Sequence, residues 1–405
     1  MITLYNHQEN LLALNPKRYL LAWGTGTGKT HMCLQLAQLN LSGEEKVLII
    51  VPKALKQNWI DTITKYYPKL FYNIYSKEEF KKYVKTIVRH KAVIVDEAHY
   101  FSGYTSQMSK ALYWYVNYHK IEYIWMATAT PYLSTPMNLY TLARILGHAW
   151  HYPTFQAKFF YKIRMGSRMV PKIKDNIEKD LRLCVESIGG TVALEDCIDV
   201  PEQTFETIYV DRTKEQSTAI TRTNDQEFIV RFTKIHQIEN GTLKSDGYTP
   251  TVHFPNYKLD ILNDLILTNK KIAIFVRYTA QIEYYKEQFK SHNRPIFVID
   301  GGVKDRHAVV QKVESTEECI VLIQAQCSEG YELPSVPVCV FASMSFSLKD
   351  YIQSLGRFLR INKAKKNHYI HLVTRGHVDE AVYDCIKRKE SFSLAIYNEE
   401  TASVV

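Results

Sequence analysis

The chain of 405 residues is 46% hydrophobic, enough for two or three buried cores and too much for global disorder. Its formal net charge of +9 suits a polyanionic partner, nucleic acid first, although solubility alone is the other reading. Seven scattered cysteines make no CxxC pair and no zinc spacing, which excludes a disulfide-built or zinc-built fold and reads as reduced thiols inside a cell. Residues 1–7 lack the apolar core of a signal peptide. No run approaches the ~18 apolar residues of a bilayer span, so no membrane partner is expected.

A short amphipathic segment opens at Leu4 and carries Gln8, whose amide offers a donor and an acceptor that suit an adenine edge. Tyr19-Leu20-Leu21-Ala22 then reads as a strand. It feeds Gly24-Thr25-Gly26-Thr27-Gly28-Lys29-Thr30 and a helix with Met32, Leu36 and Leu39 on one face. Strand, glycine loop, Lys-Thr and helix make a cradle for a triphosphate, with backbone N–H groups and the helix dipole facing the anion. Lys29 would neutralise the β- and γ-phosphates, and the Thr30 hydroxyl would ligate Mg²⁺. Trp23 stands where the strict spacing asks for glycine, leaving Gly26 and Gly28 to carry the turn.

Val47-Leu48-Ile49-Ile50-Val51 is a buried strand ended by Pro52, and Leu55, Trp59, Ile63 and Tyr66 follow at helical spacing. Ser76 and Glu79 form a capping box for a helix that should bury Phe80, Tyr83, Val84, Ile87 and Val88. Ala92-Val93-Ile94-Val95 delivers Asp96-Glu97-Ala98-His99 at its C-terminal end, the expected edge for Mg²⁺ chemistry in an α/β sheet. Asp96 would hold Mg²⁺ through its water shell, Glu97 would polarise the attacking water, and His99 would couple that site outward. A further strand, Tyr123-Ile124-Trp125-Met126, ends in Ala127-Thr128-Ala129-Thr130-Pro131. The hydroxyls of Thr128 and Thr130 suit sensing of the γ-phosphate. Leu139, Leu142, Ala143 and Leu146 mark the next helix, and the alternation predicts a parallel sheet covered on both faces.

These residues resemble the ATPase core of superfamily-two helicases, and within it the Swi/Snf-like DNA translocases. Pro52, Leu55, Asn58 and Trp59 resemble that group's P-x-x-L-x-x-N-W signature. Asp96-Glu97-Ala98-His99 with Ser106, Ala111 and Leu112 resembles its second motif, and Thr130-Pro131 with Asn138-Leu139-Tyr140 its third. Trp23-Gly24 replaces the usual acidic pair, and Ala129 replaces a common glycine; neither removes a phosphate or metal contact. The resemblance implies nucleic-acid contact at Lys53.

Residues 148–200 are looser and basic, with Lys158, Lys162, Arg164, Arg168, Lys172, Lys174, Lys179 and Arg182. They read either as a helical insertion touching a phosphate backbone or as a solvated helix face, since Asp175, Glu178 and Asp180 intervene. After Val200-Pro201 the α/β pattern resumes, with a helical protrusion expected at about 215–255. The run Ser328-Glu329-Gly330-Tyr331-Glu332 resembles the family's fifth motif. It implies nucleotide contact at Gly330 and Glu332 and a phosphate of the nucleic acid beside Ser328. Gln353-Ser354-Leu355-Gly356-Arg357-Phe358-Leu359-Arg360 resembles the sixth. On one helix, Arg357 and Arg360 share a face and would act as arginine fingers, with Gln353 coupling them to the rest.

The fold expected is α/β: two tandem RecA-like parallel-sheet lobes with helical insertions. Residues 1–150 form the ATP-binding lobe, 151–199 a basic insertion or linker, and 200–405 the second lobe. The resemblance implies a monomeric DNA-dependent ATPase using ATP and Mg²⁺, travelling on duplex or branched DNA through backbone contacts. A strand-separating DNA or RNA helicase and an ATP-gated clamp are the alternatives. The compact form resembles phage-encoded members, which implies the host-cell cytoplasm and its nucleoid.

Overall fold

A computed structural model describes residues 4–132, 135–165, 168–174, 176–193, 197, 203–223, 228–244, 250–303, 305–328, 330–358 and 366–388 of the chain. It divides into two compact units, Met1–Asp199 and Val200–Val405. In the first, strands β1 (Arg18–Trp23), β2 (Val47–Val51), β3 (Tyr72–Ser76), β4 (Ala92–Val95) and β5 (Tyr123–Ala127) alternate with helices. The helices are α1 (Asn6–Leu14), α2 (Lys29–Asn40), α3 (Lys56–Tyr66), α4 (Lys77–Tyr83) and α5 (Gln107–Tyr118). Then come α6 (Met137–Ile145), α7 (Tyr152–Phe159), the strands β6 (Phe160–Met165) and β7 (Arg168–Ile173), α8 (Glu178–Ile188) and β8 (Gly189–Val192). The sheet order is β3-β2-β4-β5-β1-β8, and every pairing in it is parallel.

The strands are near-continuous apolar runs because both sheet faces are covered, and their period of two splits them between two cores. Leu20, Leu48, Ile50, Val93, Val95, Ile124 and Met126 join one core with Phe80, Leu112 and Tyr115 from α4 and α5. Leu21, Ile49, Val51, Ile94 and Trp125 join the other with Met32 and Leu36 of α2 and Trp59 of α3.

Three expectations for this part of the chain are corrected. The helix opened by the Ser76–Glu79 capping box closes at Tyr83. A turn follows, in which the Thr86 N–H bonds the Tyr83 carbonyl, and the change of phase leaves Tyr83 43% and Val88 70% exposed. The basic stretch after residue 150 is no helical insertion, because its centre is an antiparallel hairpin of β6 and β7. Nor is it a linker: α8 packs Leu181, Val185 and Ile188 into the first core, and β8 adds a parallel strand beside β1. A Cβ on Gly189 would stand 2.0 Å from the Leu20 carbonyl oxygen, so only glycine admits that pairing.

The second unit repeats the plan. Its elements are β9 (Gln203–Val210), α9 (Lys214–Thr221), α10 (Phe228–Glu239), β10 (Thr242–Leu243), β11 (Val252–His253), α11 (Tyr257–Thr268), β12 (Lys271–Val276) and α12 (Thr279–Gln288). β13 (Ile296–Ile299), α13 (Arg306–Ser315), β14 (Cys319–Gln324), β15 (Val338–Phe341), α14 (Leu348–Gly356), β16 (Asn367–Thr374) and α15 (Val378–Lys387) complete it. The order β13-β14-β12-β15-β16-β9 is again wholly parallel.

The expected protrusion at 215–255 is in large part packed into this lobe. Phe232, His236 and Ile238 of α10 are buried, and His236 and Glu239 join an interior polar cluster. Lys258 Nζ donates to Asp379 Oδ2 at 2.7 Å, to Asn240 Oδ1 at 2.7 Å and to the Ala342 carbonyl at 2.9 Å. His236 Nε2 lies 3.3 Å from the other Asp379 oxygen, and Arg212 pairs with Glu239. Burial opposes ionisation of Asp379, but the Lys258 ammonium and His236 hold its carboxyl far below the usual carboxylate range.

Candidate active site

β1 ends in a loop held at both sides. The Gly24 N–H donates to the Val192 carbonyl at 2.8 Å, and the buried Thr27 hydroxyl donates back to the Gly24 carbonyl at 2.8 Å. Gly26 (φ 79°) and Gly28 (φ 81°) adopt the left-handed conformation that glycine tolerates without strain, and Gly28 caps α2. Trp23 packs beneath the loop, 2% exposed in the second core, with the His7 ring edge-on at 4.8 Å. Lys29 Nζ donates to the carbonyls of Trp23 (2.9 Å) and Gly24 (2.8 Å), which holds the ammonium against the loop. Thr30 follows it in the first turn of α2.

Gln8 sits against the same loop. It is 3% exposed, its amide N–H₂ donates to the carbonyls of Thr27 (3.3 Å) and Gly28 (3.4 Å), and its oxygen accepts from the Tyr5 N–H at 3.0 Å. A Cβ on Gly28 would stand 2.2 Å from that amide nitrogen. The structure therefore shows Gln8 bracing the phosphate loop, with His7 Nε2 donating to Thr27 O at 3.0 Å beside it. His7 and Thr27 carry no sequence signal of this role.

β4 delivers the acids. Asp96 is buried, and its carboxylate accepts from Trp59 Nε1 at 2.8 Å and from the Glu97 N–H at 2.9 Å. Burial and the Glu97 charge push the Asp96 carboxyl up to about 6, against the pull of the Trp59 hydrogen bond and Lys29. Trp59 was legible as a signature residue, but its grip on Asp96 was not. Glu97 holds a left-handed backbone (φ 50°), a conformation a non-glycine residue adopts where its surroundings force it. Its carboxylate lies 3.1 Å from His99 Nδ1, which is 3.2 Å from the Thr128 hydroxyl. That hydroxyl accepts from the Thr130 N–H at 3.1 Å. Glu97, His99, Thr128 and Thr130 thus form one chain of polar contacts across the ends of β4 and β5. The Asn138 amide donates to Ser102 Oγ, which donates to the His99 carbonyl, and so pins the turn from behind.

Among the described residues no group of three or more His, Cys, Asp or Glu is placed to hold a metal by itself. One buried carboxylate, Asp96, and one hydroxyl, Thr30, near a phosphate cradle fit Mg²⁺. That ion takes oxygen ligands and is usually shared between one or two carboxylates, water and substrate phosphates.

In the second unit, the residues of the fifth and sixth motifs fold into one block. Ser328 Oγ contacts Ser354 Oγ at 2.8 Å and donates to the Ala325 carbonyl at 2.8 Å. Ser328 is 1% exposed, so the structure does not bring the expected phosphate contact to a surface. Arg357 donates from Nε to the Gln353 carbonyl (2.9 Å) and from Nη1 to the Tyr331 carbonyl (2.7 Å), while its own carbonyl accepts the Leu333 N–H. Gly330 has φ 88°, Glu332 is half-buried and Gln353 is buried. α14 ends at Gly356, and Arg357 stands in its closing turn. Arg360 lies outside the described residues. Lys53, in the first unit, is exposed in the turn after β2.

A phosphate loop, a strand-end Asp-Glu pair and tandem parallel lobes define a RecA-like nucleotide-hydrolysing ATPase. Residues 2–133 match the family model of the Type III restriction enzyme res subunit, and residues 257–362 match that of the helicase conserved C-terminal domain. The first lobe thus matches the res-subunit family and the second the helicase C-terminal family, as an ATP-dependent helicase-family protein does.

An uncharacterized ATP-dependent helicase of Mycoplasma pneumoniae is 21% identical over 374 residues, 83% of this chain and 35% of that protein. A second one, from Mycoplasma genitalium, is 22% identical over 139 residues, 33% of this chain and 14% of that protein. The chain thus spans about a third of the length, or less, of the curated relatives it matches. Among solved structures, the Pyrococcus furiosus Hef helicase domain superposes with a TM-score of 0.56 at 16% identity, covering 94% of this chain and 97% of that one. The Sulfolobus solfataricus SWI2/SNF2 ATPase core in complex with dsDNA gives 0.43 at 17% identity, covering 99% and 93%.

Proposed function

We propose that the chain is a DNA-dependent ATPase of the Swi/Snf-like type that translocates on duplex or branched DNA during replication, recombination or repair. The observation that carries this reading is the Trp59–Asp96 hydrogen bond at 2.8 Å. It ties the group's P-x-x-L-x-x-N-W signature directly to the acid expected to hold Mg²⁺. In the proposed reaction Lys29 and Thr30 bind the triphosphate, and Thr30 and Asp96 would hold a Mg²⁺ whose chemistry would be to neutralise developing charge. Glu97 orients the attacking water, and the His99–Thr128–Thr130 path carries the state of that site to the neighbouring strand end. Arg357 and Arg360 of the second lobe are the proposed cations for the transferring phosphoryl group. DNA contacts are to the backbone, hence salt-dependent and largely blind to sequence.

A strand-separating helicase is the second reading, favoured by the helicase names of the curated relatives. ATP turnover with and without duplex DNA, third-strand displacement from a triplex and unwinding of a fork decide between them. Triplex displacement without unwinding supports the translocase, fork unwinding supports the helicase, and ATP-dependent binding with neither leaves a clamp.

A further inference from the structure

The charge of the first unit is distributed unevenly. Between Phe80 and Ile121 stand Lys81, Lys82, Lys85, Arg89, Lys91, Lys110 and Lys120, while the only acids are the Asp96 and Glu97 of the site. Lys91 is paired with Glu45, and nearby Glu122 is taken up by Lys17, so neither acid neutralises the others. Lys110, Trp114 and Tyr118 follow one another at four-residue spacing and so line one stripe of α5. Trp114 and Tyr118 stack at 4.8 Å with planes 15° apart, yet Trp114 is 36% and Tyr118 68% exposed. His119 meets Tyr118 edge-on at 5.0 Å, and burial, then the charge of Arg89, lowers the pKa of its imidazole. The approach is fixed from inside: the Tyr115 hydroxyl donates to the Val88 carbonyl at 2.8 Å and lies 2.8 Å from His90 Nδ1.

This patch stands at the wrong end of the sheet for the ATPase chemistry. Arg89 and Lys120 lie just before β4 and β5, whereas Asp96 and Thr128 lie just after them. A four-residue strand separates the two edges by roughly 13 Å at ~3.3 Å per residue. An exposed aromatic pair flanked by unopposed cations matches what single-stranded nucleic acid needs: a stacking face for bases, and positive charge for the backbone. A protein partner would have no use for so one-sided a field unless it were strongly acidic.

We propose that the outer surface of α5, with Arg89, Lys110, Trp114, Tyr118 and Lys120, is a second nucleic-acid site that takes a single strand, separate from the motor's own track. It holds a displaced or flanking strand while the catalytic edge works elsewhere. The site binds without ATP, so its test does not depend on the motor reading.

The test uses the full chain without nucleotide and a fluorescein-labelled oligo-dT, with anisotropy over a salt series and ultraviolet crosslinking mapped by peptide. Crosslinks are expected in the peptide holding Trp114 and Tyr118. Trp114→Ala with Tyr118→Ala should weaken oligo-dT binding about tenfold, as the loss of a stacking platform does. Arg89→Glu with Lys120→Glu should weaken it and flatten the salt slope. Both double variants should keep the wild-type thermal transition and the ATP turnover measured without nucleic acid. Crosslinks confined to other peptides, with oligo-dT affinity unchanged in both variants, overturn the proposal. Equal losses for a blunt duplex and for oligo-dT overturn the single-strand assignment.

Discussion

Asp96 and Asp379 are both buried carboxylates near a lysine, each in its own lobe, and their surroundings push them in opposite directions. Asp379 is enclosed by Lys258, His236 and the Thr374 N–H, and every partner favours its charge. Asp96 has the Trp59 indole and one backbone N–H for company, with the Glu97 charge next to it. The first cluster holds its carboxylate ionised. The second is left short of positive charge, as a site must be that receives a cation together with its substrate. Lobe two uses a buried carboxylate to fix α10, α11 and α15 on one another; lobe one leaves one short of countercharge for chemistry.

The sharpest way to break this contrast is to remove a lysine from each lobe. Lys29→Ala takes away the cation at the phosphate loop, and ATP turnover should fall by roughly three orders of magnitude, the scale of losing a transition-state charge contact. Its thermal transition should stay close to wild type, because the Lys29 ammonium bonds carbonyls of its own loop. Near-normal turnover would remove Lys29 from the site.

Lys258→Met is the opposite experiment. It leaves Asp379 buried beside Asn240 with its main countercharge gone, which should destabilise lobe two by about 3–5 kcal/mol. All five tryptophans, Trp23, Trp59, Trp114, Trp125 and Trp150, lie in the first unit. Their fluorescence therefore reports lobe one, while far-ultraviolet circular dichroism reports both. The variant should unfold in two steps by circular dichroism with an unmoved fluorescence transition. A fluorescence midpoint that falls equally would show that the network's effect is not confined to its lobe.

The parallel α/β class of the sheets was legible, because continuous apolar runs ending in Gly-Lys-Thr and Asp-Glu leave few other folds. Residues 92–99 announced both strand and acids. What stayed hidden has a common cause: it depends on phase and on partners distant in sequence. The helix after Ser76 kept its cap but lost its phase at Tyr83, which turned Val88 outward. The hairpin of β6 and β7 carries basic residues, Lys162 and Arg164 two apart on β6 and Lys172 on β7, that a helical count reads equally well as a solvated face. Gln8 offered an amide suited to a base edge, and only the Gly28 geometry shows it bracing the loop. Lys258, 0% exposed, carries no sequence signal of its burial, because the Asp379 that holds it stands 121 positions away.

Acid separates the clusters more gently. The Asp379 carboxyl is depressed from 3.8, so the stability it supplies is fully present above about pH 4 and is lost as pH falls below that value. Circular dichroism should register lobe two loosening below pH 4, and the Asp379→Asn variant, already weakened, should show a shallower dependence there. An identical acid slope in the two proteins would mean that Asp379 is not ionised in the fold.

The smallest expected effect tests the Asp96 side of the contrast by subtraction. Trp59→Phe keeps a ring in the second core and deletes only the indole N–H that Asp96 accepts. A hydrogen bond to a charged group contributes about 1.5–3 kcal/mol, so kcat should fall about tenfold to a hundredfold while the fold persists. The dependence of turnover on Mg²⁺ concentration should shift upward with it, because a carboxylate free to turn holds its ion less well. A packing defect alone would lower the thermal transition and leave the Mg²⁺ dependence where it was. In that case Trp59 is a core residue that happens to touch Asp96, and the signature it belongs to no longer speaks for the chemistry.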